Sequence, residues 1–144
     1  MRPFLRFVLP ILILLVGAFW AALFAASHLP STPAFVDRYD KLVHAMSYAA
    51  LALGLASVLI AWRGYQPRFL VWVGVLVIAY GALDEYSQSL VPDRNPDLID
   101  FAFDTAGAVL SLFLMYLAVR VTRWVRAAAS KIHEALAEPE AAAP

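Results

Sequence analysis

The chain has 144 residues, of which 62% are hydrophobic and 15% charged, and its mean hydropathy is +0.72. Soluble domains contain about 45–50% apolar and about 25% charged residues, so the composition argues against a soluble domain and against a disordered chain. The formal net charge is zero and cysteine is absent, which argues against nucleic-acid binding and excludes disulfides, thiolate metal sites and cysteine nucleophiles.

Four apolar segments follow one another along the chain, and each is long enough to cross a bilayer as a helix. A spanning helix needs about 20 mainly apolar residues, and within lipid its backbone must satisfy its own hydrogen bonds. The sequence therefore predicts an all-α bundle of four transmembrane helices in one domain, residues 1–126. The predicted helices cover about residues 7–26, 42–62, 69–91 and 98–121.

The first segment, residues 7–26, has no charged residue and follows Arg2 and Arg6. A cleaved signal peptide has the same order of features, but its apolar region is usually about 7–15 residues long. This segment is longer, and no clean Ala-x-Ala cleavage site precedes Ser27. We therefore expect a retained first helix.

The lysines and arginines of the loops predict the orientation of the bundle. With the N-terminus inside, eight of them lie on the inner side and three on the outer side. The inner set is Arg2, Arg6, Arg63, Arg68, Arg120, Arg123, Arg126 and Lys131, and the outer set is Arg38, Lys41 and Arg94. Cytoplasmic loops carry the excess of positive charge, so we expect both termini in the cytoplasm. Residues 127–144 are then a cytoplasmic tail, with a short surface helix and a disordered end.

Polar and ionisable residues occur at membrane depth in the last three segments, all in the predicted outer half. They are Asp40, Lys41 and His44; Asp84, Glu85 and Gln88; and Asp97, Asp100 and Asp104, with Arg94 just before the last group. Residues three or four apart share a helix face, which places Asp40, His44 and Tyr48 in one row and Asp84 with Gln88 in another. Such residues mark functional sites by default, because they are costly in lipid.

Helix capping accounts for only part of this set. Asp97 and Asp40 each stand where a helix begins, and an aspartate there often caps the helix. The remaining carboxylates are too many for capping, and they are Asp84, Glu85, Asp100 and Asp104. The sequence predicts a carboxylate-rich pocket that opens to the outside. Lys41 and Arg94 do not balance these acids, so protonation, a metal ion or a cationic ligand group must complete the site.

Three motifs in this region resemble the VanZ-like family of small bacterial membrane proteins. They read DKLVHAMSY, DEYSQSLVPDR and DLIDFAFDTAG. The matching residues are Asp40, Lys41, His44, Asp84, Glu85, Gln88, Arg94, Asp100, Asp104 and Gly107. A second glycine often follows four residues after Gly107, where this chain has Ser111, which keeps a small-residue surface for close helix packing. The resemblance implies a four-helix protein of the bacterial cytoplasmic membrane, and the founding member is associated with teicoplanin resistance.

Two classes of function remain open from the residues. The first is an enzyme or factor that acts on a phosphate- or sugar-bearing envelope lipid, with His44 as general acid or base. The expected catalytic residues are His44, Asp84, Glu85 and Asp104. The expected substrate-binding residues are Lys41, Tyr48, Gln88 and Arg94. A Mg²⁺ or Mn²⁺ ion would be bound by Asp84, Asp100 and Asp104. Asp40 and Gly107 are assigned structural roles.

The second class is a non-catalytic protein that binds a lipid or a lipoglycopeptide antibiotic in the same pocket. No G-x-S-x-G, H-E-x-x-H or P-loop motif is present, so no known reaction is indicated. An ion or proton transporter is less favoured, because the inner halves of the segments lack polar groups and four helices leave little room for alternating access.

Overall fold

The computed structural model describes residues 3–29, 39–92 and 97–141, with side chains over residues 6–29, 39–92 and 97–135. These residues form four helices and no strand. The helices are α1 (Pro3–Ser27), α2 (Asp40–Arg63), α3 (Pro67–Gln88) and α4 (Leu98–Ala141). Each contains a segment long and apolar enough to cross a membrane. The predicted all-α fold with four spanning helices is confirmed.

Two helix ends differ from those that the sequence suggested. α3 stops at Gln88 rather than near residue 91, because the next three backbone N–H groups bind carbonyls three residues back, in tight turns that lead to Pro92. α4 runs on to Ala141, where a separate short helix and a disordered end were expected. Residues 121–138 contain no glycine or proline and many alanines, so nothing in this stretch ends a helix.

The turn between α2 and α3 depends on a glycine and a proline. Gly64 has φ +77° and ψ 168°, a conformation that is essentially restricted to glycine. Pro67 is the first residue of α3, where its missing N–H costs no hydrogen bond and its fixed φ suits a helix. The chain therefore reverses direction over three residues, and α3 packs back against α2.

The chain forms two compact units, Met1–Phe113 and Leu114–Pro144. In the first unit, α2 and α4 approach so closely that their backbones touch. A Cβ added at Gly107 would lie 2.0 Å from the carbonyl oxygen of Ala45. One turn along, the Ser111 hydroxyl lies 3.4 Å from the carbonyl oxygen of Ala49 and donates to that of Ala108 at 2.9 Å. Small residues allow this close packing in membrane helices, and it brings the first turns of α2 and α4 together.

An aromatic row joins α1, α2 and α3. The Tyr48 ring of α2 stacks on Tyr80 of α3 with centroids 5.8 Å apart, and Trp20 of α1 meets Tyr80 edge-on at 5.2 Å. Gly81 leaves room for this packing, since a Cβ there would lie 3.1 Å from the Tyr48 ring. Large apolar side chains such as Leu14 cover the outside of the helices, as in a protein surrounded by acyl chains.

Candidate functional site

The polar residues of the first unit gather where α1 and α3 end and where α2 and α4 begin. The structure brings together all of the sequence-predicted site residues except Arg94, which lies outside the described residues, and Gly107, which lies deeper in the α2–α4 contact. They fall into a lysine cluster, a histidine cluster and a buried aspartate, with one cavity beside them.

Lys41 is the centre of the first cluster. Its Nζ donates to Asp97 Oδ2 at 2.8 Å, to Asp40 Oδ2 at 3.2 Å and to Asp100 Oδ1. Its ammonium is thus shared among three carboxylates from two helices and the residue before α4. Each of these interactions is charge-assisted, and together they hold the start of α2 against the start of α4.

His44 is the centre of the second cluster. Its Nδ1 lies 2.9 Å from Oδ1 of Asp104, a buried carboxylate. Its Nε2 lies 3.7 Å from Asp40 Oδ1 and 3.8 Å from Asp100 Oδ2. Asp40 and Asp100 therefore each turn one oxygen to Lys41 and the other to the imidazole.

Asp84, an aspartate buried like Asp104, forms the third group, with 3% of its surface exposed. Its Oδ1 accepts a hydrogen bond from the Ser27 hydroxyl at 2.9 Å, and its Oδ2 accepts one from Gln88 Nε2 at 3.1 Å. His28 lies nearby, with Nδ1 4.0 Å from the same carboxylate and Nε2 2.9 Å from the Ser87 hydroxyl.

Ser27 and His28 are site residues that the sequence analysis missed. They follow the charge-free segment 7–26, and a serine carries no charge that would distinguish it in the sequence. The only signal is the Ser-His pair at the end of a membrane-length segment, on the side where the other polar residues lie.

Glu85 and Asp97 shape the start of α4. Glu85 Oε2 accepts the backbone N–H of Asp97 at 2.7 Å, and Asp97 Oδ1 accepts the N–H of Ile99 at 2.8 Å. Asp97 thus caps α4, the role considered for it from sequence. The ammonium of Lys41 and the N–H of Ile99 hold the pKa of Asp97 below its usual value. Asp40, the other residue considered as a cap, is instead the first residue inside α2.

A cavity of about 90 Å³ lies between α1, α2 and α3. Its apolar lining residues are Leu23, Ala26 and Val43, and its polar lining residues are Ser27, Asp40, His44, Ser47, Asp84 and Gln88. Tyr48 also lines the cavity, is 2% exposed, and has a buried hydroxyl without a hydrogen-bond partner among the described residues. The space suits a small polar group or several waters.

The donor atoms favour one metal-ligand set among the described residues. One atom each from Asp40, His44 and Asp100 lie within 4.8 Å of one another. The set expected from sequence combined Asp84, Asp100 and Asp104. In the structure Asp84 faces Ser27 and Gln88, and Asp104 binds the opposite nitrogen of His44.

Comparison with known proteins adds one finding. A family model described as VanZ/LLP1 matches residues 6–119, which include most of the four spanning helices and every site residue. No curated protein and no solved structure matches the chain.

Proposed function

Because the chain belongs to the VanZ-like family of membrane proteins, we propose that its cavity binds the sugar-bearing head group of an envelope lipid. The observation that carries this proposal is the mixed lining of the cavity, which combines aliphatic side chains with several hydrogen-bond acceptors. Carboxylates make strong, charge-assisted hydrogen bonds with hydroxyl and amine donors, and the aliphatic side chains suit the carbon faces of a sugar ring.

The charges at the site favour a sugar over a phosphate. A phosphate would need a free cation, and Lys41, the lysine of this site among the described residues, already serves three carboxylates. Asp84 lines the cavity, and its carboxylate accepts hydrogen bonds from a hydroxyl and an amide. Among the described residues, no cation lies within hydrogen-bond distance of it. An anion in this space would meet repulsion, whereas hydroxyl groups would find acceptors.

A lipid-modifying enzyme is the second candidate, and the His44–Asp104 contact favours it. A carboxylate that orients the imidazole from one nitrogen leaves the other to exchange a proton with a bound substrate. His44 lines the cavity, so it would touch the head group directly.

The proposed setting is the bacterial cytoplasmic membrane, with both termini inside and the cavity on the envelope side. The excess of lysine and arginine in the inner loops supports this orientation. A glycopeptide antibiotic that carries sugars and an acyl chain presents the same chemistry as such a lipid, which is the proposed link to teicoplanin-type resistance.

The test is to express the wild type, Asp84→Asn and Glu85→Gln at matched levels in a host that lacks the gene. Lipids in the membranes and on the purified proteins are then identified by untargeted mass spectrometry. We expect the wild type and Glu85→Gln to retain a sugar-bearing lipid and Asp84→Asn to lose most of it. Glu85 is the matched control because it lies at the same depth, contacts Asp97 and does not line the cavity.

Two other results would change the conclusion. A change in envelope lipids caused by the wild type but not by Asp84→Asn would select the enzyme. If no variant retains a lipid or changes one, the head-group proposal is refuted.

A further inference from the structure

The imidazole of His44 is held so that one nitrogen faces two carboxylate oxygens. Because the Nδ1 contact is to a carboxylate, Nδ1 carries a proton, and in the neutral ring Nε2 carries a lone pair. The distances from Nε2 to Asp40 Oδ1 and Asp100 Oδ2, 3.7 and 3.8 Å, are too long for hydrogen bonds. When the ring is neutral, three electron-rich atoms therefore converge at this point.

These distances suit a metal ion placed among the three atoms. Zinc bonds to nitrogen and oxygen are about 2.0–2.2 Å long, which puts the ligands of a tetrahedral ion about 3.4 Å apart. The two spacings from Nε2 are a few tenths of an ångström longer, and all three ligand atoms lie within 4.8 Å of one another, so small side-chain rotations would close the site. An outer carboxylate on the second nitrogen, the place of Asp104 here, is the usual support of a metal-binding histidine.

Lys41 orients the two carboxylates of this site but does not occupy the position of the metal ion. Its ammonium contacts Asp40 through Oδ2 and Asp100 through Oδ1, which leaves the opposite oxygen of each aspartate turned to the imidazole. Lys41 thus holds both carboxylates in place before a metal ion binds. The metal ion would bind the two carboxylate oxygens that Lys41 does not contact.

A separate observation also indicates a ligand beside His44. Tyr48, one helical turn further along α2, is 2% exposed, and its hydroxyl has no hydrogen-bond partner among the described residues. It lines the same cavity as Asp40 and His44. A buried hydroxyl without a partner destabilises the fold, and a water held by a metal ion would supply a partner by donating a hydrogen bond to the hydroxyl oxygen.

We propose that Asp40, His44 and Asp100 bind a divalent transition-metal ion, Zn²⁺ or Mn²⁺, at the edge of the cavity. Two carboxylate oxygens and one imidazole nitrogen form a mixed donor set that these ions accept and Mg²⁺ disfavours. Three protein ligands leave a coordination position for water or a head-group oxygen. The inference does not depend on the proposed lipid, since it is tested with the metal alone.

The experiment is calorimetric titration of Zn²⁺, Mn²⁺ and Mg²⁺ into the full chain, purified in detergent and freed of metal by chelation. We expect one Zn²⁺ per chain. His44→Ala and Asp100→Asn should weaken binding by at least about 100-fold, and Asp104→Asn by about 10–100-fold. Asp84→Asn is the matched control, because it removes a buried carboxylate of the same cavity outside the ligand set, and it should stay within about threefold of the wild type.

A second measurement covers the case in which the ligand variants fail to fold. Electron spin echo spectra of Mn²⁺ on the wild type should show coupling to one imidazole nitrogen. The proposal is overturned if no ion binds stoichiometrically, if this coupling is absent, or if Asp84→Asn loses the ion as completely as Asp100→Asn. Retention of a lipid without metal binding would leave the head-group proposal standing by itself.

Discussion

Asp97 shows how much one side chain does at the start of α4. One oxygen accepts the Ile99 N–H as a helix cap, and the other accepts from Lys41, which links α4 to α2. Its own N–H is held by Glu85 of α3. Three helices therefore meet through the backbone and side chain of one residue, so its protonation state should affect the stability of the whole site.

The lowered pKa of Asp97 predicts a pH dependence of stability. A carboxyl whose pKa is lower in the folded than in the unfolded state contributes stability above its usual pKa, about 3.9, and loses that contribution as the pH falls further. Asp97→Asn keeps a side-chain oxygen for the cap but removes the charge that Lys41 binds. We expect the variant to melt below the wild type at pH 7 and the gap between the two melting temperatures to narrow as the pH falls below about 3.9.

Thermal unfolding in detergent between pH 3 and pH 7 measures this difference. Other carboxylates titrate in the same range in both proteins, so only the gap between the two curves reports on Asp97. A gap that stays constant over the whole range would show that the Lys41 contact does not stabilise the fold.

At the scale of elements, the contact between α2 and α4 fixes the site. Gly107 lies three residues after Asp104, and Ala45 follows His44 directly, so the closest backbone approach is next to the histidine cluster. Any separation of these helices would lengthen the contact between His44 and Asp104.

Gly107→Ala should therefore destabilise the protein and weaken the site. The new Cβ would lie 2.0 Å from a backbone oxygen, which cannot rotate away as a side chain can. Overpacking costs about 1–3 kcal/mol, and we expect the upper part of that range together with weaker Zn²⁺ binding. Thermal unfolding and the zinc titration measure the two effects.

Gly17→Ala is the control for this substitution. It makes the same change within a membrane-length helix, but nothing lies within 4 Å of the added Cβ. Equal stability of the two variants would mean that α2 and α4 do not touch at Gly107.

The sequence predicts well which segments form helices and which residues share a helix face. Apolar length identified each helix, and the four-residue spacing placed Asp40 and His44 on one face, as the structure shows. The rotation of each helix about its axis was not predictable. In lipid, residues that face the core and residues that face acyl chains are both apolar, so the pattern does not indicate which side faces a neighbour. Contacts across helices, such as Ser27 with Asp84, 57 residues apart, depend on that rotation.

At the scale of the whole molecule, the proposed orientation is open to a direct test. The chain has no cysteine, so single cysteines can be added without a background to remove. Ser89→Cys lies after α3, near the site, and Gln66→Cys lies in the turn before α3, at the opposite end. In intact cells a membrane-impermeant maleimide should label Ser89→Cys, and it should label Gln66→Cys only after permeabilisation.

Labelling of both positions in the denatured protein confirms that each thiol can react. The reverse pattern in intact cells would place the cavity on the cytoplasmic side and contradict the proposed envelope ligand.

The aromatic row links the fluorescence of one tryptophan to the cavity. Of the four tryptophans, Trp62, Trp72 and Trp124 are at least half exposed, whereas Trp20 packs on Tyr80, which stacks on the cavity-lining Tyr48. Replacing the three exposed indoles by phenylalanine would leave one emitter, two rings away from the cavity. Its emission wavelength and intensity should then report, without any attached dye, when the cavity fills and when it empties.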